Sequence, residues 1–398
     1  MKFCNYPYNS IAIVDDTGLA KPCCVFLHDD EDDWKDYRID NLDVPNLNHF
    51  IKSSLFGDIR KNIGNTKEFI PECENCKAQE DINMNSKRLW YNETFPMNDP
   101  LQLEDMEIAL DYTCNMMCRI CRPGQSSKWK SAKTLVEQVI AIDPEHNSAL
   151  YKSDNLDYKK HMDRLISASD FSKLKRVRFV GGEPFYSKSF NSFIEKVDRE
   201  AGIENMSIYF NTNGSIFPKK EIIDKLLTAK ELSIAFSIDA IGELASVIRY
   251  GVEWEVIDAN VKKWVELRKQ YPNLKLSIHS TISVLNVNAF QPLFDYMQLH
   301  DLRFSYYVLR FPEYLSLYHI PKPIRQLWKV KNSIPEHEYS EEKMRVLNYI
   351  LDSDRGHTNE HAKFIKTMDV MDKYQEKSFK VVNSQIYNIM QSIAEDQR

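Results

Sequence analysis

The sequence predicts an α/β fold: a partial barrel of six parallel β-α units, preceded by a cysteine-rich module and followed by a helical tail. Three observations carry this expectation. From about residue 103 to 309, short apolar runs alternate with longer stretches of helical period, the pattern of parallel strands joined by crossover helices. All eight cysteines lie within the first 121 residues. After Pro312 the chain becomes strongly charged and helical in character. The expected division is therefore 1–100 for the module, 101–312 for the barrel and 313–398 for the tail.

Composition bounds the function. The 398 residues suffice for one large domain with additions, or for two to three smaller ones. No run approaches the roughly 18 apolar residues of a membrane span. The N-terminus Met1-Lys2-Phe3-Cys4-Asn5-Tyr6-Pro7 has no secretory apolar stretch, so a cytoplasmic location without membrane attachment is expected. A net charge of −6 and the lack of a basic stripe give no argument for nucleic-acid binding. Eight cysteines without an export signal point to thiols or metal ligands in a reducing compartment, not to disulfides. Their crowding toward one end suits two metal centres better than scattered packing.

In the module, Ser10–Val14 and Leu19–Phe26 flank Asp15-Asp16-Thr17-Gly18, whose turn chemistry predicts a hairpin. Asp29 to Asp33 reads as a solvated acidic loop. Cys4, one of Cys23 or Cys24, and the pair Cys73 and Cys76 would complete a four-thiolate site. Adjacent strand residues point to opposite faces, so only one of Cys23 and Cys24 is expected to ligate; Cys23 is preferred. Zinc and iron–sulfur would satisfy four thiolates equally well. A module so short of continuous apolar sequence also needs such a staple to fold.

The barrel units follow in order. The expected strands are Glu107–Thr113, Lys175–Val180, Met206–Phe210, Leu232–Ile238, Leu274–Ser283 and Leu302–Leu309. The expected helices cover 126–140, 188–200, 219–229, 254–269 and 288–299, and a polar insertion over about 141–172 delays the second strand. Lys175, Arg176 and Arg178 read as the solvated end of their strand rather than as an anion site. Tyr306 or Tyr307, on the last strand, could face the cavity, but core packing is the preferred reading. In the tail, helices are expected near 340–353 and over 360–396.

In parallel α/β sheets chemistry gathers at the carboxyl ends of the strands, and three motifs sit there. Cys114, Cys118 and Cys121 follow the first strand with the spacing C-x3-C-x2-C. Zinc fits poorly, since no nearby His or Cys supplies a fourth ligand. Three thiolates on an iron–sulfur cluster would leave one iron open. The alternative is three buried cysteines packing as small hydrophobes. Gly181-Gly182-Glu183-Pro184 follows the second strand, where glycines let backbone approach a ligand. Ser237-Ile238-Asp239-Ala240 ends the fourth strand, with Arg249 twelve positions after Ser237.

The triplet and these companions resemble the radical S-adenosylmethionine (SAM) superfamily. The resemblance implies a partial TIM-like (β/α)6 barrel. It implies a [4Fe-4S] cluster on Cys114, Cys118 and Cys121, the catalytic centre. It implies SAM held by Gly181, Gly182 and Glu183 at its amine, by Arg249 at its carboxylate, by Ser237 at its ribose and by the backbone of Ile120 at its adenine. Thr212-Asn213-Gly214 matches a common third-strand motif. A guanidinium suits a carboxylate because it can pair with it bidentately. The Pro22-Cys23-Cys24 and Cys73-x2-Cys76 pattern is similar to twitch or SPASM auxiliary modules, here placed N-terminally. That likeness implies a second [4Fe-4S] cluster on Cys4, Cys23, Cys73 and Cys76.

The implied activity is reductive cleavage of SAM to a 5′-deoxyadenosyl radical that abstracts hydrogen from a substrate. An electron donor such as flavodoxin or ferredoxin is the implied partner. The first expectation for the substrate is a peptide or protein side chain. A sugar, nucleotide or other small metabolite is the alternative, and a non-catalytic metal-binding scaffold stands outside both. With seven cysteines assigned to clusters, cysteine-mediated epimerisation is disfavoured.

Overall fold

A computed structural model describes residues 3–27, 37–65, 69–81, 83–97, 101–144, 157–319, 321, 323–324, 326–327 and 360–396. The acidic run 29–33 and the helix expected near 340–353 lie outside the described residues. Seven strands form one sheet in chain order. They are β1 (Ser10–Ile13), β2 (Asp105–Ala109), β3 (Arg176–Val180), β4 (Ser207–Thr212), β5 (Glu231–Ser237), β6 (Leu274–Ile282) and β7 (Arg303–Val308). The six expected strands are all present. The first is displaced, because Asp111–Thr113 has already left the sheet. The seventh, β1, is the first arm of the expected hairpin. It lies parallel to β2, and all four of its residues are buried. The second arm meets β1 at one antiparallel bridge among the described residues, in which Ala12 N donates to Lys21 O at 2.7 Å and Lys21 N to Ala12 O at 2.9 Å.

The chain divides into two compact units. The first comprises Met1–Tyr112, Asp154–Phe210 and Pro218–Ser233. Here the register places Ala12, Glu107, Arg178 and Tyr209 on one rung, so their side chains share a face of the sheet. The opposite face carries Met106, Ile108, Val177, Phe179, Ile208 and Phe210, all buried. These pack against rings that come largely from the helix Lys188–Ala201. Phe179 lies 4.9 Å from Phe190 and 5.3 Å from Phe193 between ring centroids. That helix starts where Ser187 accepts from the amides of Ser189 and Phe190, and it stops at Gly202 with φ 75°.

The polar face carries ion pairs, which corrects the expectation of a solvated strand end at Arg176 alone. Arg176 donates to both oxygens of Asp105, at 2.6 and 2.7 Å. Its guanidinium also lies 4.5 Å from the Trp90 ring and 4.9 Å from the Phe95 ring. Lys87 donates to Glu107 at 2.7 Å. Burial alone would raise the Glu107 carboxyl, but Lys87 and then Arg178 override it and hold it down to about 2. Lys175 and Arg178 remain open to solvent, with 57% and 44% of their side-chain surface exposed.

The second unit comprises Thr113–Ser153, Asn211–Phe217 and Ile234–Arg398. Strands β6 and β7 pair in parallel from Ser277 opposite Arg303 to Ile282 opposite Val308. Phe290 and Phe294 of the helix Phe290–Leu299 close over Phe304, Phe294 at 5.4 Å. The single helix expected over 360–396 is three: Glu360–Gln375, Phe379–Val382 and Ser384–Asp396. The first break comes at Glu376, whose φ of 53° is left-handed, and the second at Asn383.

Candidate cluster and cofactor site

The second unit holds the cysteine triplet. Cys114, Cys118 and Cys121 lie on a loop fastened at several backbone positions. Met117 N donates to Tyr250 O at 2.7 Å and Arg119 N to Ile248 O at 2.8 Å. Trp129 Nε1 donates to Cys118 O at 2.8 Å, and Ser126 Oγ to Met116 O at 2.8 Å. Gly251 has to be glycine: its φ is 130°, and a Cβ there would lie 3.0 Å from Met116 Cα and 3.1 Å from Asn115 O.

Cys118 is buried, while Cys114 and Cys121 are half-buried. Burial, then Cys118 and then Cys114, push the Cys121 thiol well up, so the three sulfurs share one field. Burial also raises Cys118, against a downward pull from Arg249. Among the described residues, no three Cys, His, Asp or Glu groups meet closely enough to hold a single metal ion. Three thiols within electrostatic reach of one another are a donor set that an iron–sulfur cluster with one thiolate per iron can use. The mutual repulsion expected of three neighbouring thiolates is what bound iron would offset.

Arg249 stands beside this loop but already has a partner. Its Nη2 donates to Asp239 Oδ1 at 3.1 Å, and its Nε lies 2.7 Å from Oδ2, a contact without the alignment of a hydrogen bond. Asp239 is buried and also accepts from Thr281 N at 2.7 Å. Sequence reasoning placed Asp239 in its motif but gave it no role; the alternation of polar and apolar residues hides such a pairing. Ser237 is the last residue of β5 and half-buried.

A cavity of about 370 Å³ opens next to the triplet, lined by Ile120, Cys121, Arg122, Gln125, Tyr307 and Phe311 among others. Tyr307 is thus a cavity residue, 49% exposed, which corrects the expectation that it packs in the core. Tyr306 is half-buried.

Two further features escaped sequence reasoning. Arg119, wholly buried inside the triplet, donates Nε to Val247 O at 3.0 Å, Nη1 to Asp372 at 2.6 Å and Nη2 to Lys377 O at 2.9 Å. Gln375 donates to Met117 O at 3.3 Å, so the tail takes part in holding the loop. Asn213 donates to Asn115 Oδ1 at 3.0 Å, with its Nδ2 3.9 Å from Cys114 Sγ. An odd charge between two cysteines was the available signal for the first; the Thr212-Asn213-Gly214 motif named the second residue but not its contacts.

The first unit holds Gly181, Gly182 and Glu183. Both glycines have left-handed backbone, φ 74° and 53°, and a Cβ on Gly181 would meet the Tyr112 ring at 2.8 Å. Glu183 is buried and accepts from Phe185 N at 3.2 Å, capping the short helix Pro184–Tyr186. The same unit gathers the N-terminal thiols. Burial, opposed by a backbone hydrogen bond and added to by Cys73 and Cys76, raises Cys4 to about 12. Burial and then Cys76 raise Cys73 to about 12. Cys23 is pushed up by burial, against a downward pull from Lys87 and with added rises from Cys24 and then Cys4. Cys24 meets Lys87 directly, with Nζ 2.6 Å from its sulfur.

Residues 111–284 match the profile of the Radical SAM superfamily. Over that stretch, less than half of the chain, the sequence is similar to a superfamily of enzymes that use a [4Fe-4S] cluster and SAM. It is similar, at 22% identity over 180 residues, to molybdenum cofactor biosynthesis protein 1 of Dictyostelium discoideum, covering 44% of this chain and 24% of that one. It is also 22% identical over 136 residues to GTP 3′,8-cyclase of Desulforamulus reducens, covering 34% of each. The chain thus spans only about a quarter to a third of the length of these relatives. Among solved structures it is similar to native anSMEcpe with bound AdoMet and Cp18Cys peptide, with 17% identity, a TM-score of 0.35 and coverage of 56% of this chain and 57% of that one. No helix among the described residues is long and apolar enough to cross a membrane.

Proposed function

We propose that this protein is a radical SAM enzyme that takes a hydrogen atom from a peptide or protein side chain. The observation that carries the chemistry is the set of three thiols, Cys114, Cys118 and Cys121, sharing one field on a fastened loop beside Arg249. Each thiolate would hold one iron of a four-iron cluster, leaving the fourth iron for SAM. The bound cofactors supply the chemistry, reductive cleavage of SAM to a 5′-deoxyadenosyl radical, with electrons from a donor such as flavodoxin or ferredoxin.

The chain's own residues bind and orient. Asp239 fixes the Arg249 guanidinium so that its remaining donors can meet the SAM carboxylate. Gly181, Gly182 and Glu183 would receive the amine, Ser237 the ribose, and the backbone of Ile120 the adenine. The cavity next to Ile120 is within the size range of small-molecule sites. Anaerobic reconstitution with iron and sulfide, followed by reduction and assay for 5′-deoxyadenosine, tests this. An intact cluster that leaves SAM uncleaved would instead favour a metal-binding scaffold.

In the first unit, Cys4, Cys23, Cys73 and Cys76 would hold a second four-iron cluster. Their mutual influence supports this reading, as does the separate engagement of Cys24 with Lys87. Replacing Cys73 and Cys76 together should remove about half of the bound iron, since each cluster holds four irons. A second reading of the substrate, a small metabolite, draws on the likeness to a GTP 3′,8-cyclase. Whichever added compound raises 5′-deoxyadenosine output decides between the two.

A further inference from the structure

We infer that Asn213 is a positioning residue for the cluster on Cys114, Cys118 and Cys121: its side-chain amide holds an N–H toward the Cys114 sulfur and raises the cluster's reduction potential. The inference rests on the proposed function, since it presumes that cluster. Its ground is the orientation of the amide. Asn213 Oδ1 accepts from Ser215 N at 2.9 Å and from Ser215 Oγ at 2.5 Å. An oxygen engaged by two donors fixes which end of the amide is which. The nitrogen is then turned the other way, to Asn115 Oδ1 at 3.0 Å and to Cys114 Sγ at 3.9 Å.

Asn115 is itself held, because its Nδ2 donates to Ser215 Oγ at 2.9 Å. The three polar side chains therefore form a closed set next to the first cysteine of the triplet. Asn213 is only 7% exposed, so water competes little for its donors. Gly214, with φ 73°, makes the turn that allows this, and Asn260 Nδ2 secures it by donating to Gly214 O at 2.9 Å.

An N–H directed at a cluster sulfur favours the more negative, reduced state, so potentials respond to such donors. At 3.9 Å the bond is a weak one. Its electrostatic effect is nonetheless enlarged by the low-dielectric surroundings.

The test is an EPR-monitored redox titration, without SAM, of reconstituted wild type, Asn213→Ala and Asn213→Asp at matched iron content. Asn213→Asp keeps an oxygen for Ser215 but replaces the donor with a negative charge. At a fixed poise, Asn213→Ala should lower the ratio of reduced to oxidised cluster about threefold, or about 30 mV for one electron. Asn213→Asp should lower it further. Potentials within about 10 mV of wild type in both variants would overturn the inference, as would a rise in either. If neither variant takes up the cluster while wild type does, the residue serves assembly and the tuning role fails. A wild-type protein with no four-iron signal would instead sink the proposed function on which this stands.

Discussion

Arg119 Nη1 and Asp372 Oδ1 are 2.6 Å apart across 253 positions of sequence, and through them the tail reaches the middle of the cysteine triplet. Arg119 has no exposed surface. Asp372 also accepts from Phe379 N at 2.9 Å and Ser378 Oγ at 3.1 Å, so the same carboxylate organises the turn after Gln375. A buried guanidinium with one carboxylate partner makes the tail part of the loop's support, beyond any role as a cover.

Removing that carboxylate should therefore be costly. Asp372→Ala leaves the guanidinium buried with carbonyl acceptors alone, and losing one partner of a buried pair costs about 3–5 kcal/mol. We expect a loss of about 3 kcal/mol in urea unfolding and a lower iron content after reconstitution. Asp372→Asn, which retains an acceptor, should fall between. A change under about 0.5 kcal/mol would place this contact with surface ion pairs, which contribute that little.

Two glycines with positive φ differ in the space around them. Gly181 (φ 74°) and Gly242 (φ 65°, ψ −142°) each hold a backbone that costs a residue with a Cβ on the order of 1–3 kcal/mol. At Gly242 a Cβ would meet nothing within 4 Å, whereas at Gly181 it would meet the Tyr112 ring at 2.8 Å and Ala109 Cβ at 3.0 Å. Gly181→Ala should therefore destabilise by strain and crowding together and also weaken SAM binding, measured by calorimetry. Unchanged SAM affinity would show that the Tyr112 ring yields freely.

Much of the fold was legible because parallel units announce themselves locally. Strand β6, expected over Leu274–Ser283, runs Leu274–Ile282 with alternating burial. What failed was non-local. Ser10–Ile13 looked like a hairpin arm because its neighbouring turn is strong, but the unpaired edge of β2 offers a longer run of backbone hydrogen bonds. Arg176 looked solvated because its partner Asp105 and its stacking ring Trp90 lie far away in sequence. At the candidate site, Cys118 was singled out by cysteine spacing and Arg249 by the family resemblance. The groups that hold them, Asp239, Arg119 and Asn213, depend on three-dimensional partners that spacing does not encode.

The Lys87–Glu107 pair should leave a mark in acid. The Glu107 carboxyl is lowered from its ordinary 4.5 to about 2 in the folded chain. Between those values the unfolded chain binds more protons than the folded one, so stability falls as pH falls. The contribution is fully present above about 4.5 and lost on passing down through about 2. Urea midpoints of the metal-free chain across that window should drop more steeply for wild type than for Glu107→Gln. Parallel curves would mean that other carboxylates govern the acid response.

Cys23 and Cys24 are neighbours in sequence, and their surroundings make opposite predictions for them. Cys23 shares a field with Cys4, while Cys24 lies 2.6 Å from Lys87 Nζ and is influenced by Glu107. A sulfur in direct contact with an ammonium has to leave that partner in order to join the other three. Cys23→Ala should thus lower bound iron by up to half if the second cluster fails to assemble, with the triplet's own EPR signal retained. Cys24→Ala should leave iron content near that of wild type, since Lys87 keeps Glu107 as its partner. The reverse pattern, iron lost with Cys24 and kept with Cys23, would transfer the fourth ligand to Cys24 and require Lys87 to turn away from its sulfur.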